Sequence, residues 1–167
     1  MSQHNGDNSG GNADVDRPII VAMDFSDDAE AALVWACKYA EKTGAPIQAL
    51  HVVHDPGESP GYYHRNKEDV LRPLSDLAGE MMAEFLARVE TENPDLKTVA
   101  DVEPLLVTGI PETRILEVAE RNNARIIVMG SRGRTGLPHL LMGSKAERVV
   151  QLSPVPVTIV KAKSNDR

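Results

Sequence analysis

The sequence predicts an α/β fold: a single doubly wound, five-stranded parallel sheet in the order 3-2-1-4-5, with helices on both faces. Three observations predict it. From Arg17 onward, short apolar runs alternate with helical patterns, which implies a mostly parallel sheet covered on both sides. The chain of 167 residues has room for one domain with a sizeable core. The prolines sort the strands, because a residue without an N–H suits edge strands or strand starts. The third and fifth apolar runs carry Pro104 and Pro156, whereas the first and fourth have no internal proline and the second has only Pro46, at its first residue. Strands three and five are therefore the edges, and the order 3-2-1-4-5 follows with right-handed crossovers.

The elements come in turn. Residues 1–16 contain almost no large apolar side chain and are rich in Gly, Asn, Ser and Asp. Such a leader cannot offset its ordering entropy and is expected to be disordered. The run 18–24, "PIIVAMD", reads as a buried strand. Residues 27–44 read as an amphipathic helix ended by Gly44. Residues 46–53 form the second strand, and 54–66, rich in Pro and Gly, a loop. A long helix follows to about Glu92, with Pro73 near its start, where proline is tolerated. The third strand is expected over 99–108, and Pro111 opens a helix to about Asn122. Residues 124–130 read as the fourth strand, a helix follows Gly143, and 155–160 form the fifth strand. The domain thus spans 17–163, with a short tail at 164–167.

Composition narrows the function. A net charge of -7 argues against non-specific nucleic-acid binding, which needs a basic face. One cysteine, Cys37, allows neither an intramolecular disulfide nor a cysteine-based zinc cluster. It falls in a helical pattern where a small buried apolar role fits. No apolar run is long enough for membrane insertion, and no signal segment opens the sequence, so a cytoplasmic location is expected.

In the predicted order the chain reverses its winding between strands one and four, and open α/β sheets bind ligands at such a switch point, beyond the strand C-termini. Strand one ends there at Asp24, and strand four runs into "GSRGRTGLPHLLMGS", residues 130–144. The chemistry of this segment suits a polyphosphate. Gly130 and Gly133 bracket a tight turn whose N–H groups can face a ligand closely approached by the backbone. Gly143 and Ser144 lie where a helix begins; a Ser N-cap, free N–H groups and the helix dipole favour an anion there. Arg132 and Arg134 add charge, and Pro138 keeps the middle of the segment from continuing as helix. Asp24 can accept hydrogen bonds from ribose hydroxyls or hold a divalent cation. On spacing alone, these glycines fit a plain connecting turn as well as a phosphate cradle. No Gly-Lys-Ser/Thr P-loop occurs, and strand one leads into "DFSDD" rather than a dinucleotide-type glycine turn.

The pattern Gly130-x2-Gly133-x9-Gly143-Ser144 resembles the nucleotide-binding signature of the universal stress protein family. The blocks "IIVAMDFSDDAEAALVWACKYAEKTGAPIQALHVV" and "IIVMGSRGRTGLPHLLMGSKAERVVQLSPVPVTIVK" resemble that family in order and distance, over nearly all of Pro18 to Lys161. The resemblance implies the five-stranded fold derived above and, with the glycine signature intact, membership of the ATP-binding subgroup. It further implies roles by position. Asp24 would contact the ribose or, through water, a metal ion such as Mg²⁺ accompanying the nucleotide. Val52 would line the adenine pocket, and Met129 and Gly130 would flank the adenosine. Arg132, Gly133, Gly143 and Ser144 would bind the phosphates of ATP, or of AMP or ADP. Two departures stand out. The family commonly has Gly-Ser after the strand-one aspartate, where this chain has Phe25-Ser26, a side chain that either enters the core or narrows the pocket. It often has Asp before the strand-four isoleucine, where this chain has Arg125, away from the ligand end.

Other constellations carry less. His51 and His54 are three apart, which on a strand means opposite faces, and His64 and His139 have no metal-ligand spacing with them. His139 can approach a phosphate or simply face solvent. Tyr62 and Tyr63 lie near the expected adenine position, where one ring can serve as a lid, though two tyrosines beside Pro and Gly fit loop packing better. The apolar edge at 155–160 should be paired or covered. In the family it pairs across a two-fold axis, which implies a homodimer. A phosphoacceptor receiver domain is excluded because strand three ends "LLVTG", without the required aspartate. An enzyme that consumes nucleotide needs a positioned base, and only Asp24 is acidic near the expected phosphates. The sequence therefore predicts a stress-response binding module whose nucleotide modulates its dimer or a protein partner. The alternative is a slow ATPase or phosphotransferase at the same site.

Overall fold

The computed structural model describes residues 16–54, 62–65, 68–133 and 142–163. The strands are β1 (Ile19–Met23), β2 (Ile47–Val53), β3 (Glu103–Thr108), β4 (Ile126–Gly130) and β5 (Val157–Val160), and the helices α1 (Asp27–Thr43), α2 (Leu74–Glu92), α3 (Pro111–Arg121) and α4 (Ser144–Leu152). All strand pairs are parallel, in the order β3-β2-β1-β4-β5. The proline argument holds: β1 is buried at every position, whereas β5 is half-buried throughout and β3 is exposed at both ends.

Alternation along β1 divides the core between two layers. Ile19, Val21 and Met23 face α1 and α2, packing with Ala32, Leu33, Met82 and Val89. Ile20 and Ala22 face α3 and α4 with Ile115, Val118, Ile127 and Val149. Helix α1 starts where Ser26 accepts from the Ala29 N–H, a side-chain N-cap. It stops at Gly44, whose φ of 71° is the left-handed conformation that glycine adopts without a Cβ penalty.

Two boundaries depart from expectation. Residues 99–101 belong to a 3₁₀ turn, Lys97–Asp101, and β3 begins only at Glu103. Asp101 and Glu103 interrupt the apolar run there, and Val99 and Val102 are buried in the α1/α2 layer rather than paired in the sheet. At α4 the N-cap is Gly143, which has no side chain to cap with, and Ser144 is the first helical residue.

Candidate functional site

The C-terminal ends of β1 and β4 are neighbours, since Ala22 pairs with Met129. Asp24 follows β1 directly. One of its carboxylate oxygens accepts from the backbone N–H (3.1 Å) and the hydroxyl of Ser26. The other lies against Gly133, where an added β-carbon would stand 2.7 Å from it. Its backbone carbonyl accepts from the Tyr62 hydroxyl at 2.6 Å. Asp24 is thus fixed at three points, with one oxygen free of hydrogen-bond partners among the described residues.

Across the crevice, the two ends of the glycine-rich segment meet. The Gly143 N–H donates to the Ser131 carbonyl at 2.8 Å. An added β-carbon on Gly143 would make only ordinary contacts, 3.6 Å to the Ser131 carbonyl and 3.8 Å to Arg132 Cα. A β-carbon there is therefore tolerated by the described residues. Ser144 and Lys145 are exposed at the start of α4. Gly130 has the opposite surroundings. A β-carbon there would lie 2.8 Å from Asp28 Cβ and 2.9 Å from the Asp28 backbone carbon. Glycine at 130 lets β4 run against the start of α1.

Val52 and Met129 are buried on the α3/α4 side of the sheet, in the layer that includes Met142 and Ala146. The Val52 carbonyl accepts from His54 Nδ1 at 2.8 Å, and Lys145 Nζ lies 3.5 Å from His54 Nε2. His54 thus links the end of β2 to the start of α4. The structure brings together Asp24, Arg132, Gly133 and Gly143, with Ser144 next in sequence, beyond the ends of β1 and β4, while Val52 and Met129 belong to the buried α3/α4 layer. Arg134, Pro138 and His139 lie outside the described residues.

Both loop tyrosines have hydroxyl partners within the protein, Tyr62 on the Asp24 carbonyl. Tyr63 is buried, and its oxygen bridges His51 Nε2 (2.9 Å) and the His54 N–H (3.3 Å). His51 Nδ1 lies 2.7 Å from the Met23 carbonyl. A carbonyl only accepts, so Nδ1 carries the proton and Nε2 accepts from Tyr63. Burial, partly opposed by the Met23 hydrogen bond, pushes the His51 pKa down to about 4. His51 and His54 do not sit on opposite faces of one strand. β2 ends at Val53, and both rings lie 6.5 Å from the Tyr62 ring. Phe25 turns into the core, 4.5 Å from the His51 ring and 5.8 Å from Phe85. It does so at φ 61°, a conformation costly for a side chain with a β-carbon.

Two residues that the sequence did not single out hold the site's frame. Asp28, in the first turn of α1, is 5% exposed and accepts from Ser131 Oγ (2.7 Å), the Arg132 N–H (3.0 Å) and the Ala162 N–H (3.0 Å). Burial alone would raise its pKa. The hydrogen bonds from Ser131, Ala162 and Arg132 and the Arg132 charge outweigh it and hold the carboxyl below its ordinary value. Ser131 in turn donates its N–H to the Val160 carbonyl at 2.7 Å. The first turn of a helix is where a carboxylate is favoured, but only the fold brings β4 and β5 to it. No group of three or more metal-ligating side chains occurs among the described residues. No helix among them is long and apolar enough to cross a membrane.

An open parallel α/β sheet offers a ligand site at its switch point, beyond the strand C-termini. The model of the universal stress protein family matches residues 17–161, and the chain belongs to that family. The universal stress protein MJ0577 of Methanocaldococcus jannaschii is 29% identical over 164 residues, covering 89% of this chain and 97% of that one. Universal stress protein UspA from Lactobacillus plantarum has a TM-score of 0.64 at 26% identity, covering 86% of this chain and 97% of its own. A universal stress protein from Archaeoglobus fulgidus, solved in complex with dAMP, has a TM-score of 0.60 at 25% identity, covering 88% and 99%.

Proposed function

We propose that this protein is a regulatory module that binds ATP, or another adenine nucleotide, in the crevice between the ends of β1 and β4. One observation carries the reading. An Asp24 carboxylate oxygen without a hydrogen-bond partner among the described residues lies against Gly133, and the start of α4 meets the same turn through the Gly143–Ser131 hydrogen bond. The first suits a ribose hydroxyl, and the second suits an anion, through free N–H groups and the helix dipole. Arg132 supplies positive charge, and Gly133 and Ser144 offer close backbone approach and a hydroxyl. Val52, Met129 and Gly130 form the adenosine side. Any Mg²⁺ would enter with the phosphates, within reach of Asp24. The dAMP complex of the Archaeoglobus fulgidus relative supports a nucleoside phosphate as ligand.

The reading is tested by denaturing freshly purified protein and identifying released nucleotide by chromatography and mass. Stoichiometric ATP is expected. A protein that releases none and takes up no added ATP overturns the reading. Nucleotide occupancy is read out, in this proposal, at the β5 edge and α4, where Val150 and Leu152 are 44% and 51% exposed. A homodimer through that edge is expected, and sedimentation should show a dimer that Ile159→Lys, on β5, converts to monomer.

A further inference from the structure

The Asp28 carboxylate does more than close the start of α1. It receives Ser131 Oγ, the Arg132 N–H and the Ala162 N–H, so it binds β4's exit and the chain leaving β5 at once. Through Ser131 it also holds both ends of the glycine-rich segment, because the Ser131 carbonyl accepts from Gly143. The same carboxylate oxygen that accepts from the Arg132 N–H lies 3.7 Å from Arg132 Nε. The terminal guanidinium nitrogens of Arg132 make no hydrogen bond or ion pair among the described residues, and the side chain is 28% exposed. An ion pair at Nε leaves the terminal donors of the guanidinium available, and their planar fork suits a phosphate.

We propose that Asp28 is a positioning residue for anion binding: it holds the backbone N–H of Arg132 by a hydrogen bond and its guanidinium by an ion pair at Nε, which leaves the terminal guanidinium nitrogens for the phosphates of the nucleotide. This rests on the nucleotide reading above and adds the residue that sets its selectivity for phosphorylated ligands. Asp28 does not itself touch the ligand, and its negative charge is absorbed by three hydrogen-bond donors and the guanidinium.

The test is calorimetric titration of the full chain with ATP and with adenosine, for wild type, Asp28→Asn, Arg132→Ala and the double variant. Asp28→Asn should weaken ATP by about tenfold, the scale of losing an outer partner of a binding group, and leave adenosine unchanged. In the Arg132→Ala background it should cause no further loss. Equal losses for ATP and adenosine, as a general loosening of the fold would give, overturn the inference, as does a full additional loss in the double variant. Arg132→Lys keeps Asp28 and the charge but not the fork. It should lose ATP affinity nearly as Arg132→Ala does, and wild-type ATP affinity in that variant overturns the inference even if Asp28→Asn does not fold. A wild-type protein that binds neither ATP nor adenosine refutes the nucleotide reading itself.

Discussion

At the scale of single residues, glycines of one signature serve different ends. Gly130 is required by packing, since a β-carbon would meet backbone atoms of Asp28 and Ala29 at 2.9–3.0 Å. Gly130→Ala should therefore lower stability by about 2 kcal/mol, as overpacking does, read as a reduced melting temperature without ligand. Gly143 has space, so Gly143→Val should leave the ligand-free melting temperature near wild type and abolish ATP binding in titration, because only the approach to α4 is blocked. His51 makes a pH prediction. Its folded pKa of about 4 lies below the ordinary 6.5, so the unfolded chain binds the extra proton between these values. Stability is full above pH 6.5 and falls as pH drops towards 4, by roughly 3 kcal/mol from this group. Denaturant melts across that window should show the slope, and His51→Gln should flatten it.

At the scale of elements, β1, α1, α3 and the strand order were legible because each rests on a local rule: apolar runs, a glycine stop, a proline start, prolines kept to sheet edges. The misplacements occurred where tertiary contact overrides the local signal. Val99 is apolar enough for a strand, but the core under α1 needs a plug there. Ser144 is a good capping residue, but the bond from the Gly143 N–H to Ser131 shifts the helix start by one position. The loop tyrosines are the clearest case. Tyr62 holds the Asp24 carbonyl and Tyr63 closes the buried His51, so both hydroxyls have structural partners. Tyr63→Phe leaves His51 Nε2 buried without its donor and should cost about 2 kcal/mol of stability. A lid role would instead leave the ligand-free protein unchanged and weaken only nucleotide affinity, so thermal melts with and without ATP separate the two.

At the scale of the whole molecule, the switch point was readable because it follows from strand order alone. The residues proposed to hold the nucleotide come from glycine spacing and family likeness. The Asp28–Ser131 node was not readable, because it joins α1, β4, α4 and the exit of β5, and no sequence window contains all four. That node makes the crevice part of the domain's closure rather than an appendage to it. A ligand that binds only the folded chain should then stabilise the whole domain by mass action, about 2.7 kcal/mol when its concentration is a hundred times Kd. For a chain of this size each kcal/mol raises the melting temperature by about 2–4 °C, so saturating ATP should raise Tm by roughly 5–10 °C. Adenosine at the same multiple of its own Kd should raise it equally, since linkage depends on occupancy and not on which contacts supply the affinity. Gly143→Val should show no ATP-dependent shift while melting like wild type without ligand. If saturating ATP leaves the wild-type Tm unmoved, nucleotide does not bind preferentially to the folded domain, and the glycine signature serves only to bring β4 and α4 together.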